Sequence, residues 1–203
     1  MEHRTDRYPE IREAVRALCA NFPDAYFREI DEARAYPEAF VDALTKAGWL
    51  AALIPQEYGG SGLGLAEASV IMEEINRCGG NSGACHGQMY NMSTLLRHGS
   101  GAQKQKYLPE IAAGELRLQS MAVTEPTTGT DTTQLKTTAA RKGSRYVVNG
   151  QKVWISRVQH SDLMILLART TPLAEVKRKS DGMSRSEERR VGKECRSRWS
   201  PYH

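Results

Sequence analysis

The chain has 203 residues, of which 40% are hydrophobic and 26% are charged, and its formal net charge is +4. A domain usually takes about 100 to 200 residues, so this length predicts one or two domains. No apolar run reaches the ~18 residues that a membrane-spanning helix needs. Three of the four net positive charges lie in the last nineteen residues, so the rest of the chain is nearly neutral, which argues against a nucleic-acid-binding protein.

The spacing of apolar residues predicts that residues 9–118 are mainly helical. A first helix is predicted over Pro9–Cys19, because apolar residues recur there every three or four positions and proline suits a first turn. A second helix follows Pro37 and stops at Gly48, since glycine readily adopts the left-handed conformation that ends a helix. A third, amphipathic helix is predicted over Leu65–Arg77.

The segment Trp49–Gly64 is predicted to be a loop, because its glycine-rich residues 59–62 tolerate conformations that a side chain would forbid. A less polar helix is predicted over Asn81–His98. Its cysteine and histidine are candidate metal ligands, but the sequence places no further ligands nearby, so a buried core helix is favoured. The core side chains would be Cys85, His86, Met89, Tyr90 and Met92.

After Leu118 the pattern changes to short runs rich in Val, Ile, Thr and aromatic residues, which are typical of strands. These runs are Arg117–Val123, Leu135–Ala140, Arg145–Ile155 and Asp162–Arg169. Asn149-Gly150 predicts a two-residue hairpin turn within the third run, because a type I′ turn needs a positive φ at both positions. A helical half followed by an antiparallel sheet is an α+β arrangement with two domains.

The cysteines and the N-terminal residues predict a reducing compartment. Cys19, Cys78, Cys85 and Cys195 form no C-x-x-C pair, which argues against a zinc ribbon and a disulfide framework and predicts free, mainly buried thiols. Residues 1–15 mix acidic and basic side chains without an apolar segment, so they match neither a secretory signal nor a transit peptide. We therefore expect a cytoplasmic protein.

Two segments of the second half carry residues that suit a cofactor. Thr124–Asp131 combines hydroxyls, a carboxylate and a glycine, which can approach a phosphate or the edge of a heteroaromatic ring, or which can form a polar connection capped by Thr and Asp. In a strand, Trp154 and Ser156 would face the same side. A ring face beside a hydrogen-bond donor suits a planar cofactor, and an ordinary buried tryptophan is the alternative.

Thr124–Asp131, with Ala122-Val123 before it, resembles the first signature of the acyl-CoA dehydrogenase family. Trp154-Ile155-Ser156 resembles that family's Trp-Ile-Ser/Thr element. The resemblance covers about residues 8–184. It implies a helical N-terminal domain at 1–118, a middle β-domain resembling an antiparallel barrel at 119–184, and a C-terminal helical bundle that we expect this chain to lack. Supporting segments are Ile54–Gly62, Glu73–Ile75, Lys106–Pro109 and Ala113–Glu115.

The resemblance implies oxidation of an acyl-CoA thioester to the trans-2-enoyl-CoA with FAD as the hydride acceptor, transfer of electrons to electron-transfer flavoprotein, and a homotetramer when the protein is complete. Thr124 would bond the isoalloxazine edge, Gly129 and Thr130 would lie by the pyrophosphate, and Thr130 would also approach the acyl-CoA. Trp154 would flank the ring system, and Ser156 would reach the N5 region. The implied cofactor-binding residues are Met121, Ala122, Val123, Thr124, Gly129, Thr130, Trp154, Ile155 and Ser156.

Some residues depart from the family pattern. Thr128 and Gln134 stand where small residues are preferred, and Arg157 stands where many members have Gly or Asn.

In this family, the glutamate that removes the α-proton lies in the C-terminal domain. No catalytic residue is therefore assigned here, not even Glu125 in the flavin loop, and the chain is expected to be inactive. A flavin-dependent oxidase or monooxygenase on the same scaffold is the alternative enzyme, and a nucleic-acid-binding module would rest on the basic C-terminal residues alone.

The last nineteen residues, Arg185–His203, contain Val191 as their only aliphatic residue and no periodic apolar pattern. They resemble the translation of a sequencing adapter, which would place the end of the natural sequence near Ser184. A natural basic tail that binds anions is the alternative. The adapter interpretation predicts that residues 185–203 pack on nothing, because they offer little apolar surface to offset an ordering cost of about 1 to 2 kcal/mol per residue.

Overall fold

The polypeptide divides between Gln119 and Ser120 into a helical unit and a sheet unit. The computed structural model describes residues 7–143 and 145–189. Within these residues, no helix is both long enough and apolar enough to cross a membrane. A helical domain followed by a sheet confirms the predicted fold class.

The described part of the helical unit contains six α-helices. They are α1 (Pro9–Cys19), α2 (Asp24–Glu32), α3 (Glu38–Lys46), α4 (Leu65–Arg77), α5 (Gly83–His98) and α6 (Gly101–Ala113). The predicted helices at Pro9–Cys19, after Pro37 and at Leu65–Arg77 are confirmed, and Gly48 has the expected positive φ of 79°. The predicted loop between α3 and α4 contains two short 3₁₀ turns, Trp49–Ala51 and Gln56–Tyr58.

The helices α2 and α6 were not predicted individually from the sequence. None of the residues of α2 is fully buried, although Tyr26 and Phe27 pack against the core. Pro109 lies inside α6, where proline normally interrupts a helical pattern. Ser100 and Gln103 nevertheless form a capping box at the start of α6, in which each backbone N–H bonds the other residue's side chain. That motif is readable in the sequence.

The core of the helical unit is built around aromatic rings. Phe22, Tyr26, Phe27 and Phe40 pack edge to face, with ring centroids 5.1 to 5.2 Å apart. This geometry brings the positive edge of one ring to the negative face of the next. Aliphatic residues from several helices and from the loop before α4 complete the cluster, including Val15, Val41, Leu44, Leu50, Ile71 and Ile75.

A buried ion cluster joins α1 to α4. Glu74 is fully buried, and its carboxylate bonds both the Arg12 guanidinium and Arg16, whose Nε lies 2.6 Å from Glu74 Oε2. Arg12 also reaches the half-exposed Glu73 at 3.0 Å. The hydrogen bond from Arg16 lowers the pKa of Glu74 to about 2, against the opposing effect of burial and with the help of Arg12. The carboxylate is therefore ionised throughout the physiological range.

We expect Glu74→Ala to lower the free energy of unfolding of the helical unit by about 3 kcal/mol, because the substitution removes the carboxylate that pairs with the buried Arg12 guanidinium. Because the folded-state pKa lies below the unfolded value, this contribution is present above about pH 4.3 and is lost as pH falls towards 2. Urea unfolding followed by circular dichroism at several pH values measures both effects.

Glu73→Gln is the matched control, because the Glu73 side chain is 52% exposed and should contribute less than about 1 kcal/mol. Equal losses for the two variants would contradict the assignment of Glu74 as the anchor of the cluster.

Five strands form one sheet in the described part of the second unit. They are β1 (Ser120–Ala122), β2 (Thr138–Lys142), β3 (Arg145–Asn149), β4 (Leu163–Arg169) and β5 (Met183–Arg189). The order β1-β4-β2-β3 is completed by β5, which pairs with β4. A small apolar cluster of Ala122, Ala139, Leu166 and Ala168 packs on the sheet.

The sheet is mixed, whereas the sequence predicted an antiparallel one. β1 runs parallel to β4, with Ser120 opposite Met164, and β2 meets the end of β4 in parallel, with Thr138 opposite Arg169. The pairs β2–β3 and β4–β5 are antiparallel. Long connections precede β2 and β4, and only such connections allow strands to pair in parallel. Strand patterning cannot show which strands they bring together.

The predicted hairpin turn at Asn149-Gly150 is wrong. Asn149 pairs with Thr138 at the end of β3, and the hairpin closes at the other end of the strand, after Gly143, which has a φ of 63°. Gly150 is required for a different reason, because a Cβ at this position would lie 2.3 Å from Thr137 Oγ1 and 2.7 Å from Thr137 Cα. The glycine therefore permits a close approach of two backbones.

The predicted strand at Asp162–Arg169 is confirmed as β4, which spans Leu163–Arg169. It has β1 on one side and β5 on the other, and the antiparallel register runs from Leu163 opposite Arg189 to Arg169 opposite Met183. The prediction that residues 185–203 pack on nothing is wrong for 185–189, which pair with β4, and residues 190–203 lie outside the described part. Ladder bonds join backbone groups, so an extended segment can pair without apolar side chains.

We expect Gly150→Ala to destabilise the sheet unit by about 1–3 kcal/mol, because the new methyl group overlaps the backbone of Thr137. Gly143→Asn is the matched control, since asparagine tolerates a left-handed φ and no atom lies within 4 Å of the place that its Cβ would occupy. Thermal unfolding followed by circular dichroism compares the two. A large loss for Gly143→Asn together with none for Gly150→Ala would restore the turn predicted from the sequence.

Candidate functional site

Three segments of the sheet unit carry the residues that the sequence nominated for cofactor binding: β1, the loop that follows it, and residues 150–157. Ala122 is buried in β1 opposite Leu166, and Met121 is half-buried beside it. Val123 and Thr124 are half-buried at the start of the loop, whereas Gly129 and Thr130 are exposed further along it. These residues therefore lead from the sheet interior to its surface.

Hydrogen bonds hold residues 152–156 beside β1 and the start of the loop. The Val153 N–H donates to the Thr124 carbonyl at 3.0 Å, and the Ser120 hydroxyl donates to the Ser156 carbonyl at 2.8 Å. Ile155 packs against the apolar cluster of the sheet. The structure thus brings Thr124 next to the segment that carries Trp154 and Ser156, although they are about thirty residues apart.

Trp154 is neither a strand residue nor a buried core residue. Its side chain is 78% exposed, and its φ of 60° is left-handed. The expectation that Trp154 and Ser156 share one face of a strand is therefore wrong, as is the alternative of an ordinary buried tryptophan. Ser156 is exposed as well. The segment presents a large ring and a hydroxyl to solvent.

Glu125 is buried beneath this surface, with 5% of its area exposed. Its Oε2 accepts from the Lys136 N–H at 2.6 Å, and its Oε1 accepts from the Thr137 N–H and from Lys152 Nζ, each at 2.9 Å. Burial alone would raise the pKa of Glu125, but hydrogen bonds from Thr137, Lys136 and Lys152 outweigh it and lower the pKa to about 2. The carboxylate is thus ionised and fully engaged.

Local hydrogen bonds shape the loop between Glu125 and Gln134. Glu125 and Thr128 exchange backbone bonds across a tight turn, and the Thr128 hydroxyl donates to the Asp131 carbonyl at 2.6 Å. The Asp131 carboxylate accepts from the N–H and hydroxyl of Thr133 and from the Gln134 amide. The Thr133 and Gln134 bonds lower the pKa of Asp131. Thr128 and Gln134, which depart from the family pattern, therefore stabilise this loop.

Gly129 leaves room beside Thr124. A Cβ at Gly129 would meet only Thr124 Cγ2, at 3.8 Å, which is ordinary contact. The exposed backbone of Gly129 and the exposed Thr130 next to it are thus open to a ligand. This arrangement suits the approach of a phosphate to backbone N–H groups, as the sequence suggested.

Arg169, which ends β4 and is buried, was not among the residues nominated from the sequence. Its guanidinium donates to the carbonyls of Thr133, Leu135, Lys179 and Asp181 at distances of 2.5 to 3.2 Å. It therefore ties the end of the loop after β1 to the chain before β5. An arginine that ends an otherwise apolar strand was the available signal.

The described residues contain no group of three or more His, Cys, Asp or Glu side chains that would hold a metal ion. Cys85 is buried, and burial raises the pKa of its thiol to about 12, so it fits the predicted core role. His86 and Tyr90 do not fit that role, because both are exposed and their rings lie 4.9 Å apart on the outer face of α5. Cys19 and Cys78 are free thiols, as is Cys85.

Sequence models of two consecutive domains match this chain. The model described as "Acyl-CoA dehydrogenase, N-terminal domain" matches residues 5–115, and the one described as "Acyl-CoA dehydrogenase, middle domain" matches residues 120–190. Together they match most of the helical unit and the sheet unit as far as residue 190, which includes β5.

Similar curated proteins are longer than this chain. A mitochondrial isovaleryl-CoA dehydrogenase of Pongo abelii is 38% identical over 165 residues, which is 79% of this chain and 39% of that protein. The cyclohex-1-ene-1-carbonyl-CoA dehydrogenase of Syntrophus aciditrophicus (strain SB) is 33% identical over 173 residues, or 85% of this chain and 42% of that protein. The chain thus spans about two fifths of the length of these relatives.

Solved structures agree with the sequence matches. An acyl-CoA dehydrogenase from Geobacillus kaustophilus has a TM-score of 0.82 at 30% identity, and the match covers 91% of this chain and 49% of that enzyme's chain. A glutaryl-coenzyme A dehydrogenase in complex with glutaryl-CoA has a TM-score of 0.79 at 29% identity, and the match covers 89% of this chain and 46% of that enzyme's chain. The electron transferring flavoprotein of Acidaminococcus fermentans has a TM-score of 0.79 at 26% identity, with 93% and 48% covered.

Arg157 is a strained position at the edge of this site. It has a φ of 57°, and its carbonyl accepts from the His160 N–H at 3.0 Å to start a 3₁₀ turn. A left-handed conformation costs a residue with a Cβ about 1–2 kcal/mol, and glycine and asparagine tolerate it best. The departure from Gly or Asn noted in the sequence therefore falls where the backbone favours those residues.

We expect Arg157→Asn to stabilise the sheet unit by about 0.5–1 kcal/mol, because asparagine relieves part of this strain. Arg157→Lys is the control, since it keeps a long cationic side chain and the same strained backbone. Thermal unfolding of the three chains provides the measurement. If Arg157→Asn is no more stable than Arg157→Lys, then the backbone at this position is not strained.

Proposed function

This chain belongs to the acyl-CoA dehydrogenase family, and from this membership we propose that its sheet unit binds FAD and contributes to the α,β-oxidation of an acyl-CoA thioester. The observation that carries the proposal is the exposed Trp154, which follows a residue whose backbone N–H bonds the Thr124 carbonyl. Isovaleryl-CoA dehydrogenase and cyclohex-1-ene-1-carbonyl-CoA dehydrogenase are among the similar proteins, so a short branched or cyclic acyl group is the proposed class.

The residues present fit FAD in three respects. The indole of Trp154 offers a large flat surface, and it is 78% exposed although burial would be favourable for so apolar a ring. The exposed Ser156 and the half-buried Thr124 supply hydroxyl groups on adjoining segments. Gly129 allows a phosphate to approach the backbone without meeting a side chain. A flat ring, hydroxyl groups and an open glycine suit the planar ring and the phosphates of a flavin dinucleotide.

We assign the roles as follows. Met121 and Ala122 in β1 and Val123 just after it would support the ring, Thr124 would bond the isoalloxazine edge, and Trp154 with Ile155 would flank it. Ser156 donates to the N5 region, while Gly129 and Thr130 hold the pyrophosphate, and Thr130 also approaches the acyl-CoA. The residues assigned to FAD are Met121, Ala122, Val123, Thr124, Gly129, Thr130, Trp154, Ile155 and Ser156.

Bound FAD supplies a hydride acceptor. The protein groups contribute by orienting the ring and by donating hydrogen bonds where negative charge develops, which is the usual role of preorganised dipoles in an active site. Trp154 would exclude water from the face of the isoalloxazine ring that its indole covers. None of these groups transfers a proton.

The base that removes the α-proton is proposed to lie outside these 203 residues. Glu125 does not serve as the base, because a general base works best with a pKa near the operating pH, whereas its pKa is held at about 2. Its oxygens are also engaged with two backbone N–H groups and Lys152. We therefore propose that this chain alone is catalytically inactive.

The proposed partners are those of the complete enzymes of the family. They are an acyl-CoA substrate, an electron-transfer flavoprotein that accepts electrons, and three further copies in a homotetramer. The similarity to a glutaryl-CoA complex and to an electron transferring flavoprotein structure supports the first two. The cytoplasmic location expected from the N-terminal residues and the cysteines stays a prediction.

We expect the purified chain to bind FAD weakly and to show no flavin bleaching when it is mixed anaerobically with acyl-CoA thioesters. Trp154→Ala should weaken FAD binding about tenfold or more, which corresponds to ~1.4 kcal/mol for a lost ring contact. Flavin fluorescence titration measures binding, and the flavin absorbance measures reduction.

Tyr146→Ala is the matched control, because Tyr146 is another exposed aromatic residue, 55% exposed, on β3. An equal loss for both variants, or no binding by the unmodified chain, would contradict the assignment of the site. Bleaching that disappears in Glu125→Gln would show that Glu125 is a base after all.

A further inference from the structure

We propose that Glu125 and Lys152, which form a buried ion pair, are positioning residues that fix the location of Trp154 relative to Thr124. The inference rests on the proposed function, because it gives these two buried residues a role in forming the flavin surface. Neither residue touches the cofactor in this proposal. They act through their neighbours in the chain, Thr124 and Val153.

Two short segments are joined at consecutive residues. Lys152 Nζ donates to the Val123 carbonyl and to Glu125 Oε1, each at 2.9 Å, and the next residue, Val153, donates from its N–H to the Thr124 carbonyl at 3.0 Å. The ammonium group thus spans the residues on either side of Thr124, and the backbone bond fixes Thr124 itself. A shift of Lys152 is therefore transmitted directly to Trp154, two residues further on.

Burial makes these contacts specific. The Lys152 and Glu125 side chains are only 9% and 3% exposed, and a buried charge costs several kcal/mol unless it is paired and hydrogen-bonded. The carboxylate accepts from the backbone of Lys136 and Thr137 as well, so it has one position that satisfies all its bonds. A pair that is displaced loses several of these bonds together.

The conformation of Trp154 requires such support. A non-glycine residue with a φ of 60° is unfavourable unless its neighbours hold it there. The Val153–Thr124 bond lies immediately before Trp154, and the bond from Ser120 to the Ser156 carbonyl lies two residues after it. The ion pair secures the first of these supports, so it controls the side of Trp154 on which Thr124 lies.

A purely stabilising ion pair would have different consequences. Its loss would lower the temperature of unfolding but would leave Trp154 in the same environment in the folded chain. A positioning pair changes the environment of Trp154 even at temperatures where the chain is fully folded. The two roles are therefore separated by a measurement on Trp154 itself.

The test uses the full 203-residue chain labelled with 5-fluorotryptophan, and the ¹⁹F resonance of Trp154 is assigned by its loss in Trp154→Phe. Lys152→Met and Glu125→Gln should shift or broaden this resonance, and Lys152→Arg should restore most of the original signal because it keeps the charge. Lys136→Met is the matched control, since it removes a nearby exposed cation but keeps the backbone N–H that bonds Glu125.

Titration with FAD provides the second arm, and Lys152→Met is expected to weaken binding about tenfold or more, whereas Lys136→Met should not. If the unmodified chain binds no FAD, the proposed function fails, and the Trp154 resonance still decides the inference. Variants that unfold at lower temperature but keep the Trp154 resonance and the FAD affinity would overturn the positioning role. Should Lys152→Met fail to fold, Glu125→Gln and Lys152→Arg decide the outcome by the same readout.

Discussion

The candidate site depends on the burial of one carboxylate. A charge taken out of water must recover several kcal/mol through its contacts, and Glu125 does so with the backbone N–H groups of Lys136 and Thr137 and with the ammonium group of Lys152. These partners belong to separate segments of the chain, so satisfying the carboxylate also fixes the segments relative to one another. The exposed residues that would face a cofactor take their positions from a group that is itself hidden.

The same constraint separates anchoring from reactivity. A carboxylate held at a pKa of about 2 by hydrogen bonds, as both Glu74 and Glu125 are, is a poor proton acceptor at neutral pH. The two residues are therefore suited to hold elements together: Glu74 joins α1 to α4, and Glu125 joins the loop after β1 to the segment around Lys152. A glutamate next to a cofactor loop is thus no evidence of acid–base chemistry until its hydrogen bonds are known.

The sequence predicted those elements whose signal is local. The helices α1, α3 and α4 follow from their apolar spacing and end residues, and β4 follows from its apolar run. The residues nominated for a cofactor lie on the loop after β1 and on the segment around Trp154, and their role stays a prediction. What the sequence could not show is which segments meet: the parallel pairing of β1 with β4, the burial of Glu125 against Lys152, and the carbonyls gathered by Arg169. These contacts join residues far apart in the chain, so periodicity carries no information about them.

Gly150 and Trp154 show how tertiary contacts override a local signal. Asn149-Gly150 has the composition of a hairpin turn. In the structure, however, Gly150 is needed because Thr137 lies where a Cβ would be, and the chain continues as an irregular segment. Along that segment Trp154 and Arg157 both adopt left-handed conformations, with φ values of 60° and 57°. Unfavourable backbone persists only where surrounding bonds over-determine it. Left-handed backbone at two positions, on either side of Ser156, therefore indicates that surrounding bonds hold this segment in one geometry. Such a geometry is expected where a planar ligand must meet a ring and a hydroxyl at fixed positions.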